Sequence, residues 1–224
     1  MKPALRRFGQ GRHAVVVVDD FTGDPQAIVE IAAAIAPFPP SGRTYYPGLR
    51  RYITPDDGAA YAYAERLLEN AATFIGGAFD YDSFDWIEAS FSMVTTAPDA
   101  LTPPQRAPHF DSTDPAHLAV LHYLSETPGT AFYRQRATGI ELVDDANVDA
   151  FVRQARRPMA AAVRGYIAGS DLHYEQIGVV EGVADRLVIY RGAMLHSGII
   201  PPGAELSSDP RRGRLTANLF VQGR

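Results

Sequence analysis

The hydrophobic rhythm of the chain changes part-way along. Residues 14–19 read Ala-Val-Val-Val-Val-Asp, a short, continuous β-branched run that predicts a buried strand. Thr22-Gly23-Asp24-Pro25 follows, with Asp24 suited to cap a helix and Pro25 to its first position. Ile28, Ile31 and Ile35 mark that helix's apolar side, and Pro37-Phe38-Pro39-Pro40 stops it. A second helix is predicted from Thr54 as cap and Pro55 as opener. Asp56 and Asp57 sit at its positive end, and Tyr61, Ala64, Leu67, Leu68 and Ala71 follow at helical spacing. Gly76-Gly77 is the expected stop.

Beyond this point the pattern favours strands. Residues 86–96 are rich in strand formers, and 97–108 read as a loop with four prolines. Strands are predicted at 117–124 and 130–134, with Pro128-Gly129 as the turn between them. Residues 147–168 are helical in pattern, kinked or divided by Pro158. Strands resume at 174–180, 186–190 and 215–221. The expected fold is α+β in a single domain over 1–224. Residues 1–85 form a mainly helical part packed on a β-sandwich or jelly-roll core at 86–224, with a helical insertion near 147–168.

Composition removes several chemistries. The chain has 224 residues, 46% hydrophobic and 21% charged, which fits a folded domain rather than a disordered one. A net charge of −5 argues against a nucleic-acid partner, and no apolar run is long enough to span a bilayer. No secretory signal is read near the start, so a cytoplasmic protein is expected. Cysteine is absent, which excludes thiol nucleophiles, thiolate metal sites and disulfides together. The only lysine is Lys2, a poor position for a Schiff base or phosphate loop, and no G-x-S-x-G elbow is present. The remaining reactive groups are hydroxyls, imidazoles, carboxylates and guanidiniums, with or without a metal held by N and O donors.

His109-Phe110-Asp111 is the leading candidate for such a metal. On an extended strand, residues i and i+2 share a face, so an imidazole and a carboxylate can meet one ion side by side. His196, beyond the strand at 186–190, is the best third ligand. Two histidines and one carboxylate on one face leave positions open, as in non-haem Fe(II) oxygenases. His173-Tyr174-Glu175 offers a rival triplet and is read as a structural pair. His117 and His122 are read as ordinary strand residues, His122 with a secondary chance of touching substrate. Asp19-Asp20, Arg50-Arg51 and Arg156-Arg157 are read as solvated charges, and Tyr45-Tyr46 and Tyr61/Tyr63 as core or surface aromatics. Arg214 and Thr216 share a strand face, and a guanidinium beside a hydroxyl suits a carboxylate.

These segments resemble the 2-oxoglutarate- and Fe(II)-dependent dioxygenases, in particular the prolyl-4-hydroxylase-like branch. Val16-Val17-Val18-Asp19-Asp20-Phe21 resembles the family's opening strand, and Pro108-His109-Phe110-Asp111 its proximal metal pair. Leu121-His122-Tyr123-Leu124-Ser125 with Gly129-Thr130-Ala131-Phe132-Tyr133 is similar to a central stretch of the family. Asp185 to Tyr190 with Leu195-His196 resembles the strand leading to the distal histidine, and Gly213-Arg214 to Phe220 the cosubstrate strand. The resemblance implies a double-stranded β-helix (jelly roll) with Fe(II) held by His109, Asp111 and His196. It implies 2-oxoglutarate bound through Arg214, with Tyr123 and Thr216 assisting. The gap from His196 to Arg214 is longer than the family's, so Arg211 and Arg212 compete with Arg214 for that role. The implied reaction hydroxylates a small-molecule, amino-acid or peptide substrate with O2, releasing succinate and CO2. A cupin-like, non-catalytic binding protein is the alternative on the same fold.

Overall fold

The computed structural model describes residues 1–42, 46–156 and 165–224. Ten strands are found among them: β1 (Lys2–Phe8), β2 (His13–Asp19), β3 (Gly48–Tyr52), β4 (Phe84–Val94), β5 (His117–Tyr123), β6 (Thr127–Gln135), β7 (Tyr174–Gly182), β8 (Arg186–Arg191), β9 (His196–Gly198) and β10 (Leu215–Gly223). Three helices accompany them: α1 (Pro25–Ala34), α2 (Ala59–Phe79) and α3 (Val148–Ala155). Seven strands form one antiparallel sheet in the order β1-β2-β8-β5-β10-β4-β3, and three form a second in the order β7-β6-β9. No helix among the described residues is long and apolar enough to cross a membrane.

The large sheet is covered on both faces, and its sequence alternates accordingly. Val16, Val18, Leu118, Val120, Leu187, Ile189, Leu215 and Leu219 face α1 and α2. Their neighbours Val15, Val17, Ala119, Leu121, Val188 and Tyr190 face the small sheet through Phe132 and Val180. Burial on both faces explains the unbroken apolar run in β2. A third apolar cluster, with Phe151 of α3, lies against Ala131 and Tyr133 of β6.

Local chemistry fixes the helix starts. The Asp24 side chain accepts the Ala27 N–H at 3.0 Å and Pro25 opens α1. Thr54 and Asp57 form a reciprocal capping box around a short 3-10 turn, Pro55–Asp57, that leads into α2. Leu67, Leu68, Ala71 and Ile75 form the buried stripe of α2 on the sheet.

Several expectations are corrected. Alongside α1 and α2, the part at 1–85 supplies three strands to the large sheet, two of them, not anticipated from the sequence, at its edges. β1 and β3 are mostly exposed or half-buried, so the apolar alternation that signals a strand is missing. Gly76-Gly77 does not stop α2, which runs to Phe79 and is closed by Asp80 in the left-handed conformation, φ 63°. Pro128-Gly129 is not a hairpin turn. Both residues lie inside β6, at a register irregularity against β7, and β5 and β6 belong to different sheets. Of the helix expected at 147–168, α3 covers Val148–Ala155 and residues 165–168 are not helical. Pro158 lies outside the described residues, as do Tyr45 and Arg157.

Candidate metal centre

His109, Asp111 and His196 come together although 85 residues separate the last two. One ligand atom from each lies within 4.8 Å of the others, and this is the only such cluster found among the described residues. Asp111 Oδ1 is 3.9 Å from His109 Nε2, and its Oδ2 is 3.6 Å from His196 Nε2. Right-angled ligands with ~2.1 Å bonds would stand about 3.0 Å apart, so closing on an ion asks for side-chain movements of up to about 1 Å each.

Backbone bonds, rather than side chains, hold the trio. His109 and His196 form an isolated antiparallel bridge with reciprocal N–H···O contacts of 2.9 and 2.8 Å. The Asp111 N–H donates to Gly192 O at 2.7 Å. The extended-strand geometry expected for His109-x-Asp111 is thus reduced to one bridging residue followed by a bend. His196 opens β9, between Phe132 on β6 and the edge of the Tyr190 ring at 4.9 Å.

The electrostatics suit metal ligation. His196 Nδ1 lies 2.8 Å from Met194 O, so that nitrogen carries the proton and Nε2 keeps a free lone pair facing the cluster. The His109 imidazole is pushed down to about 4, first by burial and then by His196 and Arg50, against the pull of Asp111. A neutral ring at physiological pH is the form that binds a metal.

The cluster opens into a cavity of about 100 Å³, far above the ~10–15 Å³ that admits one water. Arg214, just before β10, and Thr216 on it line the same space. Arg214 Nη2 donates to Gly129 O at 3.2 Å, while its Nε is buried with no hydrogen-bond partner among the described residues. A buried guanidinium N–H without an acceptor fits an anion seated against it. The competing arginines are engaged elsewhere: Arg211 grips Glu30 and Arg212 bonds Glu205 at 2.7 Å, both at the surface.

Other candidates fall differently. Tyr123 is fully buried, with its hydroxyl 2.6 Å from Thr130 Oγ1, so Thr130 stands between it and the cavity. His122 does not border the cavity. It faces the helices, where Tyr63 Oη lies 2.7 Å from its Nδ1 and Asp185 Oδ1 lies 3.1 Å from its Nε2. The even-numbered positions of β5 point to α2, which is what strand alternation requires. Glu175 of the rival triplet pairs with Arg134 at 2.9 Å, a structural contact. Arg50 and Tyr46, read from sequence as surface charge and ordinary aromatic, line the cavity. So do Tyr166, Tyr190 and Ser197, none of which carried a recognisable motif.

Comparison with known proteins adds a family and a fold. Residues 1–221 match the family described as "Family of unknown function (DUF6445)", and the chain belongs to it. No curated protein matches the chain. Among solved structures it is similar to HygX from Streptomyces hygroscopicus, crystallised with nickel, 2-oxoglutarate and hygromycin B bound. That match has 10% identity and a TM-score of 0.54, covering 94% of this chain and 83% of that one. It is similar to the non-haem α-ketoglutarate-dependent epimerase SnoN from nogalamycin biosynthesis, with 12% identity, a TM-score of 0.51 and coverage of 95% and 79%. It is also similar to a Trichoplax adhaerens prolyl hydroxylase in complex with a hypoxia inducible factor peptide fragment, with 10% identity, a TM-score of 0.51 and coverage of 93% and 83%. At such identities the likeness concerns the fold.

Proposed function

We propose that this DUF6445 chain is a non-haem Fe(II)- and 2-oxoglutarate-dependent dioxygenase on a double-stranded β-helix, hydroxylating a small-molecule, amino-acid or peptide substrate. The observation that carries this reading is the conjunction of three convergent ligands and an anion-receptive arginine in one cavity. Nickel and 2-oxoglutarate bound in HygX, on a similar fold, agree with it.

Each residue has a role the geometry can perform. His109, Asp111 and His196 would hold Fe(II) where their cluster meets the cavity. His196 keeps its Nε2 lone pair available because Met194 O holds the Nδ1 proton. Asp111 is anchored through its backbone at Gly192 and can turn its carboxylate toward either histidine. Arg214 receives the distal carboxylate of 2-oxoglutarate, with Thr216 of β10 lining the same cavity. Leu121 and Ile200 supply apolar wall, which lowers the local dielectric and strengthens the arginine–carboxylate contact. When bound, the metal and cosubstrate supply the O2-dependent oxidation, with succinate and CO2 as coproducts. The chain's part is binding, orientation and exclusion of water.

Anaerobic addition of Fe(II) and 2-oxoglutarate tests the reading through the visible charge-transfer absorption of their complex. The wild-type protein forms the band. Asp111→Ala loses it together with at least about 100-fold in metal affinity, since it deletes a ligand outright rather than a supporting contact worth ~10–100-fold. Equal succinate production by wild type and Asp111→Ala overturns the assignment. Absence of the band, with tight binding of a different small molecule, establishes the cupin-like alternative.

A further inference from the structure

Arg50 brings a second guanidinium to the cavity. Arg50 stands on edge strand β3, which no sequence signal associated with the site. Strand register places it in a single row across the sheet: Arg50 is opposite Ser92 on β4, Ser92 opposite Thr216 on β10, and Thr216 opposite Tyr123 on β5. Two interstrand steps of ~4.8 Å put β3 about 10 Å from β10. Arg50 therefore reaches the cavity from the same sheet face as Thr216, two strands across from β10.

Arg50 is held at one end and open at the other. Its Nε donates to Ser92 Oγ at 3.1 Å, and the guanidinium lies 4.8 Å from the centre of the Tyr46 ring. Its nearest carboxylate is Glu88, at 3.9 Å from Nη1, beyond hydrogen-bonding distance. The two terminal nitrogens make no hydrogen bond among the described residues, and the side chain is only 14% exposed. Burial raises the Glu88 carboxyl above its ordinary value despite Arg50, and nearby Asp111 adds to the rise, as expected for a loose rather than a committed pair.

Charge counting gives the chemistry. Arg50 and Arg214 contribute two positive charges to the cavity wall and Asp111 one negative charge. Fe(II) and a 2-oxoglutarate dianion cancel each other, so the groups lining the cavity keep one surplus positive charge, which Glu88 offsets only from 3.9 Å and from outside the lining. We propose that Arg50 is the recognition group for the primary substrate, and that this substrate is a small carboxylic acid whose carboxylate accepts from the Arg50 terminal nitrogens. The inference rests on the dioxygenase reading and narrows it. A planar oxyanion matches the guanidinium fork, and the cavity volume favours a small acid over a folded partner.

The test uses full-length protein loaded with Fe(II) and 2-oxoglutarate without oxygen. It is titrated with proteinogenic amino acids and short straight-chain carboxylic acids, each beside its primary amide, while the visible band is followed. At least one acid shifts the band, and its amide requires about tenfold or more higher concentration. Arg50→Gln raises the half-saturating concentration of that acid by about 10- to 100-fold, and Arg50→Lys, which keeps charge without the fork, falls between. Circular dichroism checks that the variants fold, and the acid–amide comparison on the wild-type protein needs no variant. Equal potency of acid and amide, an Arg50→Gln response equal to wild type, or a wild-type band that no acid shifts overturns the inference while leaving the dioxygenase reading intact. A wild-type protein that forms no band overturns both.

Discussion

Replacing Arg214 by glutamine is the sharpest test of whether the cavity holds the proposed cosubstrate through this arginine. The alternatives lie close in sequence, since Arg211, Arg212 and Arg214 all stand at the start of the last strand. The structure separates them by what each already touches. Arg211 is committed to Glu30 and Arg212 to Glu205, whereas Arg214 has a buried Nε with no acceptor and lends only Nη2 to Gly129 O. A carboxylate against that edge gains one or two charge-assisted hydrogen bonds, each ~1.5–3 kcal/mol. Glutamine retains at most one neutral bond, so the net loss is about 3 kcal/mol, slightly more than 100-fold in half-saturating 2-oxoglutarate. The assay is anaerobic titration of 2-oxoglutarate into Fe(II)-loaded protein, with metal affinity measured separately. Arg211→Gln and Arg212→Gln should bind as wild type does. A shift below about threefold for Arg214→Gln, or an equal shift in either neighbour, would refute the assignment of the clamp.

Two further perturbations follow from the packing. Gly192→Ala would place a Cβ 2.6 Å from His117 Cδ2 and 3.3 Å from Asp111 Cβ, so it should weaken metal binding about tenfold, an effect like losing a supporting contact. Isothermal titration with a divalent metal reads this, and an unchanged affinity would show that Gly192 does not position Asp111. Asp185 accepts from Thr22 N–H at 2.9 Å, Gly23 N–H at 2.7 Å, the Thr22 hydroxyl at 2.6 Å and His122 Nε2 at 3.1 Å. Burial alone would raise its carboxyl, but the bonds from His122, Thr22 and Gly23 outweigh that and hold it well below the ordinary range. The depressed value means its stabilisation is complete above the unfolded pKa of ~3.9 and is lost as pH falls below it. Asp185→Asn should therefore be less stable by about 2 kcal/mol at neutral pH and lose less stability on acidification. Denaturant unfolding at neutral and acid pH measures both, and parallel pH dependences would contradict the role given to this carboxylate.

What the sequence reveals and what it hides both follow from where each residue sits in the large sheet. Central strands announce themselves. β2 and β8 are buried on both faces and read as unbroken apolar runs, and β4 alternates Ser90 and Ser92, bonded to Asn218 O and Arg50, against Phe91 and Met93, which meet the apolar helix layer. Edge strands are silent, since half their surface is exposed and carries charge, which is how an edge avoids pairing with another chain. β1 and β3 were missed for that reason, and the loss mattered at β3 because it carries Arg50. The metal ligands were legible as residue types in order. Their convergence was not, because it depends on a two-residue backbone bridge between His109 and His196 that leaves no periodic trace. His122 is the ordinary strand residue the sequence suggests, and alternation alone removes its secondary chance of touching substrate, because it points to the face opposite the cavity.

Support of the ligands by main chain rather than side chain has a consequence for how this site tolerates change. His109 and Asp111 lie outside any regular strand, yet their N–H groups are bonded to His196 O and Gly192 O in the segment between β8 and β9. That segment is tied in turn to the small sheet, through the Tyr133 N–H to Leu195 O at 2.8 Å, and to the neighbouring loop, through the Val143 N–H to Ala193 O at 2.8 Å. Side-chain substitutions in this region leave these bonds intact, so exchanges at Phe110, Met194 or Leu195 should preserve ligand spacing provided side-chain volume is kept. Anything that removes an N–H or adds a Cβ in a close approach will not. The positions of His109, Asp111 and His196 are therefore set by the backbone of the fold, and the proposed ion would have only to draw together ligand atoms already within 4.8 Å of one another.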